Sequence, residues 1–156
     1  MEFDKETVKV VVFQLGDEEY GVDVHQVISI ERMEEMTRVP NTPDFVKGVI
    51  NLRGVVTPII DLHERFSLEG TTYTDRTRIV IVSVDNMNVG LIVDSANDVI
   101  DIPTDLIEPP PEVIGVVRAE YLHGVAKLED RLLILLHLNK VLSTDEVTEI
   151  KQIEAE

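Results

Sequence analysis

Apolar and polar positions along this chain fall into short stretches divided by turn residues, the pattern of strands. Val8-Lys9-Val10-Val11-Val12-Phe13-Gln14-Leu15 is the first, stopped by Gly16-Asp17-Glu18. Glu19-Tyr20-Gly21-Val22-Asp23-Val24 follows, which predicts a hairpin. Val46 to Leu52 and Val55 to Ile60 flank Arg53-Gly54, a tight turn in which Gly supplies a positive φ. Pro58, which has no N–H to give a ladder, predicts an edge strand or a bulge. Ile79 to Val84, Val89 to Val93, Gly124 to Leu128 and Leu132 to Leu138 complete the set. Stiff β-branched Val and Ile dominate these runs and favour strand over helix.

Helices are few. Asp44 caps a single turn, and Leu62-His63-Glu64-Arg65-Phe66 makes another. A C-terminal helix is expected over about 144–155, with Thr144 as N-cap and Val147, Ile150 and Ile153 on one face. Ser67 to Arg76 reads as a loop, as does Pro103 to Pro111, whose Pro109-Pro110-Pro111 is extended.

The same pattern occurs twice. Phe45 to Phe66 aligns without a gap on Tyr121 to Leu142, at an offset of 76. Gly48 meets Gly124, Leu52 meets Leu128, and Leu62 meets Leu138. Upstream, Gly21, Val24, Val27 and Ile30 match Gly90, Val93, Ala96 and Val99 at an offset of 69. The repeat units are about 8–66 and 77–142, each of about five strands. An all-β fold of two small barrels about a pseudo-twofold axis follows, with a groove between them. A lone copy buries too little surface to be stable, so the two pack as one domain over 1–156. Duplicated barrels can exchange segments, so the pattern leaves open which strands belong to which. Where the copies differ, at Asn51-Leu52-Arg53-Gly54 against Lys127-Leu128-Glu129-Asp130, the molecule presents two unlike surfaces.

Charge narrows the partners. With 14 Lys+Arg against 30 Asp+Glu, the net charge is −16 and the pI about 4.5. That field repels phosphate backbones and anionic lipid, so no nucleic acid and no direct membrane insertion are expected. The longest apolar run, Leu132 to Leu136, falls far short of the roughly 20 residues of a spanning helix. The acidic start Met1-Glu2-Phe3-Asp4-Lys5-Glu6 is unlike a secretory leader, so a cytoplasmic location is expected. Cys is absent, which removes disulfides, thiolate catalysis and Cys-type zinc sites.

Little chemistry stands out. His25, His63, His123 and His137 include no His-x-x-x-His spacing. No Gly-x-Ser-x-Gly, phosphate-binding or dinucleotide-binding glycine motif occurs. No catalytic, cofactor or metal residue is therefore assigned, and an enzyme is unsupported. The rival to a pure binding protein is a small-ligand or metal-binding β-barrel enzyme that uses Asp61 and His63, beside Glu64.

Three stretches resemble the CheW family of bacterial chemotaxis coupling proteins. They are Gly16-Asp-Glu-Glu-Tyr-Gly-Val-Asp-Val24, Asn41-Thr-Pro-Asp-Phe-Val-Lys-Gly-Val-Ile-Asn-Leu-Arg-Gly54 and Val89-Gly-Leu-Ile-Val-Asp94. Pro58-Ile-Ile-Asp-Leu62 and the segment from Tyr121 to Leu142 continue the match. The resemblance implies two five-stranded SH3-like barrels and a cytoplasmic adaptor without catalysis or cofactor. It implies two partners, the cytoplasmic tip of a chemoreceptor (a methyl-accepting chemotaxis protein) and the regulatory domain of the histidine kinase CheA. Through them the adaptor is recruited to receptor arrays at the membrane.

By the same resemblance, receptor contact falls in or near the inter-barrel groove, at Val27 and Ile30, with Gly48, Arg53 and Gly54 close by. Val99, the repeat mate of Ile30, lines the opposite wall together with Ala96. Core packing competes for Val27, Ile30 and Val99, and backbone geometry for the glycines. Arg53 competes only with a surface salt bridge. Family members often carry an acidic residue just before the position of Ile30, where this chain has Ser29. Glu31 is expected on the other face of the strand, which leaves the turn Arg without its usual partner.

Overall fold

The computed structural model describes residues 6–40, 44–66, 73–110, 113–114, 117–118 and 121–141. The expected C-terminal helix over 144–155, Pro111, and the loop residues 67–72 lie outside them. In chain order the elements begin with β1 (Thr7–Leu15), β2 (Glu18–Asp23) and β3 (Val27–Arg32). Next come β4 (Val46–Leu52), β5 (Val55–Asp61), α1 (Leu62–Arg65), β6 (Arg78–Val84) and β7 (Met87–Val93). β8 (Ser95–Pro103), β9 (Ile107–Glu108), β10 (Val113–Ile114) and β11 (Val117–Arg118) precede β12 (Leu122–Lys127), β13 (Leu132–Leu136) and α2 (Leu138–Val141).

The all-β expectation holds, and the strands form two barrels of one plan. Barrel one has the order β3-β6-β7-β5-β4, and barrel two β8-β1-β2-β13-β12-β9. In barrel one, Thr37, on the segment after β3, exchanges both backbone hydrogen bonds with Val49 of β4, which closes the sheet. In barrel two, β9, on the segment after β8, closes on β12. The parallel pairs match as well. Ile59 opposes Gly90 in barrel one, and their repeat mates Leu135 and Gly21 oppose each other in barrel two.

The barrels have exchanged hairpins. β1 and β2, from the first half of the chain, complete the sheet of β8, β12 and β13, and β6–β7 from the second half complete that of β3, β4 and β5. The chain therefore crosses between barrels at Val24–Gln26, a 3-10 turn, and again at Asp94.

This exchange explains the strand residues that are apolar on both faces. In β1, Val8, Val10 and Val12 fill barrel two, while Val11, Phe13 and Leu15 pack between the barrels. In β6, Ile79 and Ile81 fill barrel one, and Val80, Val82 and Val84 pack between the barrels. The apolar run Leu132 to Leu136 divides in the same way, with Leu133 and Leu135 inside and Ile134 and Leu136 at the junction. The junction holds the largest cluster of buried side chains among the described residues. Each such Val, Leu or Ile contributes about 1.5–3 kcal/mol relative to exposure, so the junction contributes more apolar burial than the interior of either barrel.

Three details depart from the sequence reading. β3 and β8 carry polar residues on one half-exposed face, and the run-based strand set omits both. Asp44 sits in a turn and not in a helix. Pro58 lies neither at an edge nor at a bulge, since β5 is flanked by β7 and β4. Its partner Val49 spends its hydrogen bonds on Thr37, so the Pro58 nitrogen faces β7, where pairing starts only at Ile59. No ladder bond is lost.

Candidate functional site

The two edge strands β3 and β8 each put apolar side chains at the margin of the inter-barrel core. In a regular strand, Val27 and Ile30, three apart, would face opposite sides. A bulge between Val27 and Ser29 changes the parity. Val27 opposes Val82 and Ile30 opposes Val80, both of them junction residues, while Ser29 and Glu31 oppose Ile81 and Ile79 on the barrel-one side. Cross-strand partners share a face. Ile30 thus continues the junction face outward into solvent, 44% exposed, while half-buried Val27 packs against the junction core.

β8 repeats the arrangement. Its register with β1 shifts between Ala96 and Asp98, so Ala96 opposes Phe13 and Val99 opposes Val11, again junction residues. Val99 is 51% exposed and is the structural mate of Ile30. The two walls expected of a groove are therefore built alike, one from each barrel. Ile28, which the sequence reading omitted, is equally exposed beside the β3 bulge. Bulges leave no residue signature here, which is why it was missed.

Arg53 and Gly54 form the β4–β5 turn with φ of 50° and 86°, and the Gly54 N–H donates to the Asn51 side chain at 2.9 Å. A positive φ at both central positions matches the twist of the flanking strands. Arg53 projects, its side chain 74% exposed, with Val55 and Val56 also exposed next to it. The pairing expectation for this residue is overturned. Glu31 shares its face with Ser29, two residues earlier, and its carboxylate meets the Arg53 guanidinium at 3.5 Å. That contact brings the turn alongside β3.

Gly48 belongs elsewhere. A Cβ there would lie 2.5 Å from the Thr37 carbonyl oxygen, the atom that closes barrel one, so this glycine serves the backbone. Of the six candidates, Ile30 lies on the junction face of β3, Arg53 and Gly54 lie at the turn that meets Glu31 on the other face of that strand, and Val99 holds the place of Ile30 on barrel two. Val27 lies at the core margin.

Asp61 and His63, the pair behind the rival reading, point to different tasks. Asp61 is buried, caps α1 by accepting from the His63 backbone N–H at 2.9 Å, and accepts from the Tyr73 hydroxyl at 3.2 Å. The His63 ring turns away to Asp94 at 2.8 Å. Asp94 also accepts from the Gly16 N–H at 2.7 Å, so this chain of bonds straps α1 to the β1–β2 turn across the junction. Asp85, Asn139 and Gln26 make the corresponding strap on the other side. Among the described residues no group of three or more potential ligands is arranged for a metal ion. On barrel two the His123 and His137 rings stack at 4.0 Å. Burial, and then the neighbouring His137, push the His123 pKa down to about 4. No described helix is long and apolar enough to cross a membrane.

Comparison with known proteins agrees with this geometry. The family model described as CheW-like domain matches residues 9–146. Chemotaxis protein CheW of Bacillus subtilis is 43% identical over 137 residues, covering 88% of each chain. That of Klebsiella aerogenes is 42% identical over 137 residues, covering 88% of this chain and 82% of the relative. The crystal structure of the scaffolding protein TtCheW from Thermoanaerobacter tengcongensis superposes with a TM-score of 0.82 at 36% identity, covering 91% of this chain and 92% of the other.

Proposed function

This chain belongs to the CheW family of chemotaxis coupling proteins, and from that premise we propose that it joins a chemoreceptor tip to the CheA regulatory domain through separate surfaces. It is a non-catalytic chemotaxis scaffold, and the family couples chemoreceptors with CheA. In the finer reading, the receptor tip lies against the margin formed by Val27, Ile30 and Val99, with Arg53 and Gly54 at its end. The whole chain acts as one domain, in the cytoplasm, and reaches the receptor array through its partners.

The observation that carries this reading is the pair Ile30 and Val99. Each is an apolar side chain about half exposed at the outer edge of the face that forms the junction core, one on each barrel. Exposed apolar side chains continuous with a buried core gain by covering, and a receptor tip that touches both walls senses the relation between barrels. Arg53 supplies a cation in a protein of net charge −16, in a geometry that can grip a carboxylate bidentately.

The test combines the protein with a receptor cytoplasmic fragment and a CheA-type kinase, and follows kinase autophosphorylation and co-sedimentation. Receptor-dependent kinase control that requires this protein is the expected outcome. Failure to bind either partner would remove the proposal.

A further inference from the structure

Arg65 is the last residue of α1 and reaches α2 across the junction. Its guanidinium lies over the Phe45 ring at 4.8 Å from the centroid and over the Tyr121 ring at 5.3 Å. Phe45 and Tyr121 are repeat mates, each placed just before the equivalent strands β4 and β12. The Arg65 Nε–H donates to the Val141 carbonyl at 2.7 Å, and Val141 is the repeat mate of Arg65 itself. A group that touches both members of one mated pair, and its own mate, lies at the pseudo-twofold axis. One side chain can occupy that place but two cannot, since a second guanidinium from position 141 would meet the first. The repeat must therefore be asymmetric here, and the chain has Arg on one side and Val on the other.

The surroundings extend the contact into both barrels. Tyr121 packs on Phe66 at 5.7 Å, Phe66 on Tyr20 at 6.2 Å, and Tyr20 on Phe13 at 5.8 Å. Cation–aromatic contact and a charge-assisted hydrogen bond are directional, unlike the aliphatic packing that fills most of the junction. Aliphatic contact holds the barrels together but tolerates small rotations. A planar cation held between one ring from each barrel resists them.

We infer that Arg65 is a positioning residue, a pin on the pseudo-twofold axis that sets the orientation of the two barrels and so the relation between the walls carrying Ile30 and Val99. The orientation claim stands without the coupling function; only its consequence for signalling rests on that reading.

The chain contains no Cys, so spin labels can be placed cleanly at Arg32→Cys on β3 and Asp101→Cys on β8, both exposed positions. Pulsed electron resonance then reads the inter-barrel distance distribution in the free protein. The original Arg65 background gives a narrow distribution. Arg65→Val broadens it, with Tm lowered by about 2–6 °C. Arg65→Val combined with Val141→Arg supplies the cation from the other side of the axis and narrows the distribution again. A role in packing alone predicts no such recovery. Arg65→Lys keeps the charge but loses the planar fork, and it broadens the distribution less. An unchanged width in Arg65→Lys overturns the inference even if Arg65→Val fails to fold, and so does a double variant as broad as Arg65→Val. In the reconstituted kinase assay, the broadened variants are expected to lose receptor-dependent control and the double variant to regain it. Control that survives a broadened distribution would count against transmission by geometry and leave the pin intact.

Discussion

Gly48 and Gly124 meet the same obstacle in their two barrels, whereas Arg53 and Glu129 occupy the same turn with opposite charge. A Cβ at Gly48 would sit 2.5 Å from the carbonyl oxygen of Thr37, and one at Gly124 would sit 2.6 Å from that of Glu108. Both oxygens belong to the segment that closes the barrel, so the glycine is dictated by closure. At the turns no such demand exists. Barrel one ends in exposed Arg53. Barrel two ends in exposed Glu129 and Asp130, and its nearby cations are ion-paired, Lys127 to Glu108 at 3.1 Å and Arg131 to Glu19 at 3.5 Å. The backbone keeps the copies alike, and solvent-facing positions are free to diverge toward different partners.

The widest test of that shared plan cuts the chain. Because each barrel contains a hairpin from the other half, fragment 1–70 lacks β6 and β7 and fragment 71–156 lacks β1 and β2. Neither is expected to fold, as each would expose its side of the junction and the edges left by the missing hairpin. A cooperative thermal transition in either fragment, followed by circular dichroism, would mean that the barrels are independent and that the shared junction core is incidental.

At the turns, Arg53→Glu should separate contact from stability. The ion pair joins a 74% exposed Arg53 side chain to a Glu31 side chain that is 22% exposed, so its loss, with the repulsion between the two carboxylates, costs about 1 kcal/mol of folding stability. In a receptor interface, the same change leaves a repelling or unpaired charge, at about 2–5 kcal/mol. Receptor-dependent kinase control should therefore weaken by more than about tenfold, with CheA binding and Tm close to those of the parent. Glu129→Arg, the mated reversal, should leave receptor coupling unchanged. If both variants couple normally, Arg53 is a bystander and the apolar margin at Val27 and Ile30 carries the contact. An unfolded Arg53→Glu would make the turn structural.

At the closure points both copies should lose stability. Gly48→Ala and Gly124→Ala each force a backbone oxygen aside, at about 1–3 kcal/mol, and Gly48→Ala adds the strain of a φ of 157°. Gly16→Ala is the comparison: its φ of 59° disfavours a side chain, but nothing lies within 4 Å of the added carbon. Its cost should be about 1–2 kcal/mol from the backbone alone. Denaturant titration would show whether closure matters equally in both barrels. A harmless Gly48→Ala beside a damaging Gly124→Ala would break the equivalence.

Much of this plan could be read from the residues, because the repeated positions are those that backbone approach and double-sided burial restrict most. The offsets of 69 and 76 align strand with strand and even α1 with α2. β3 and β8 escaped the run-based reading because polar residues interrupt their apolar positions, and no side chain of β3 is fully buried. Hairpin exchange was illegible for another reason: a strand apolar on both faces fits either barrel, and nothing local says which sheet it joins. The site was partly legible. Arg53 follows from its turn, whereas Ile28 and the sharing of one face by Val27 and Ile30 depend on a bulge. The Glu31 pairing failed on a matter of parity, since residues two apart in a strand share a face.

The smallest effect compares position 123 with its mate, Lys47, which is ion-paired with Glu64. In barrel two the position holds an imidazole, stacked on His137 and near Asp23, whose charge pulls its pKa upward, with Lys140 acting on His137. Burial, then His137, prevail and hold His123 at about 4, against 6.5 for the ordinary group. Between those values the unfolded chain binds a proton that the folded ring refuses. This contribution to stability is therefore full above pH 6.5, falls as the pH drops, and is gone below about 4. His123 is only partly exposed, and solvent screening reduces the effect to no more than about 2 kcal/mol. His123→Gln cannot take up that proton, and its Tm should decline less than the parent's across this window. Parallel curves would mean that the stacked rings take up the proton without cost to the fold.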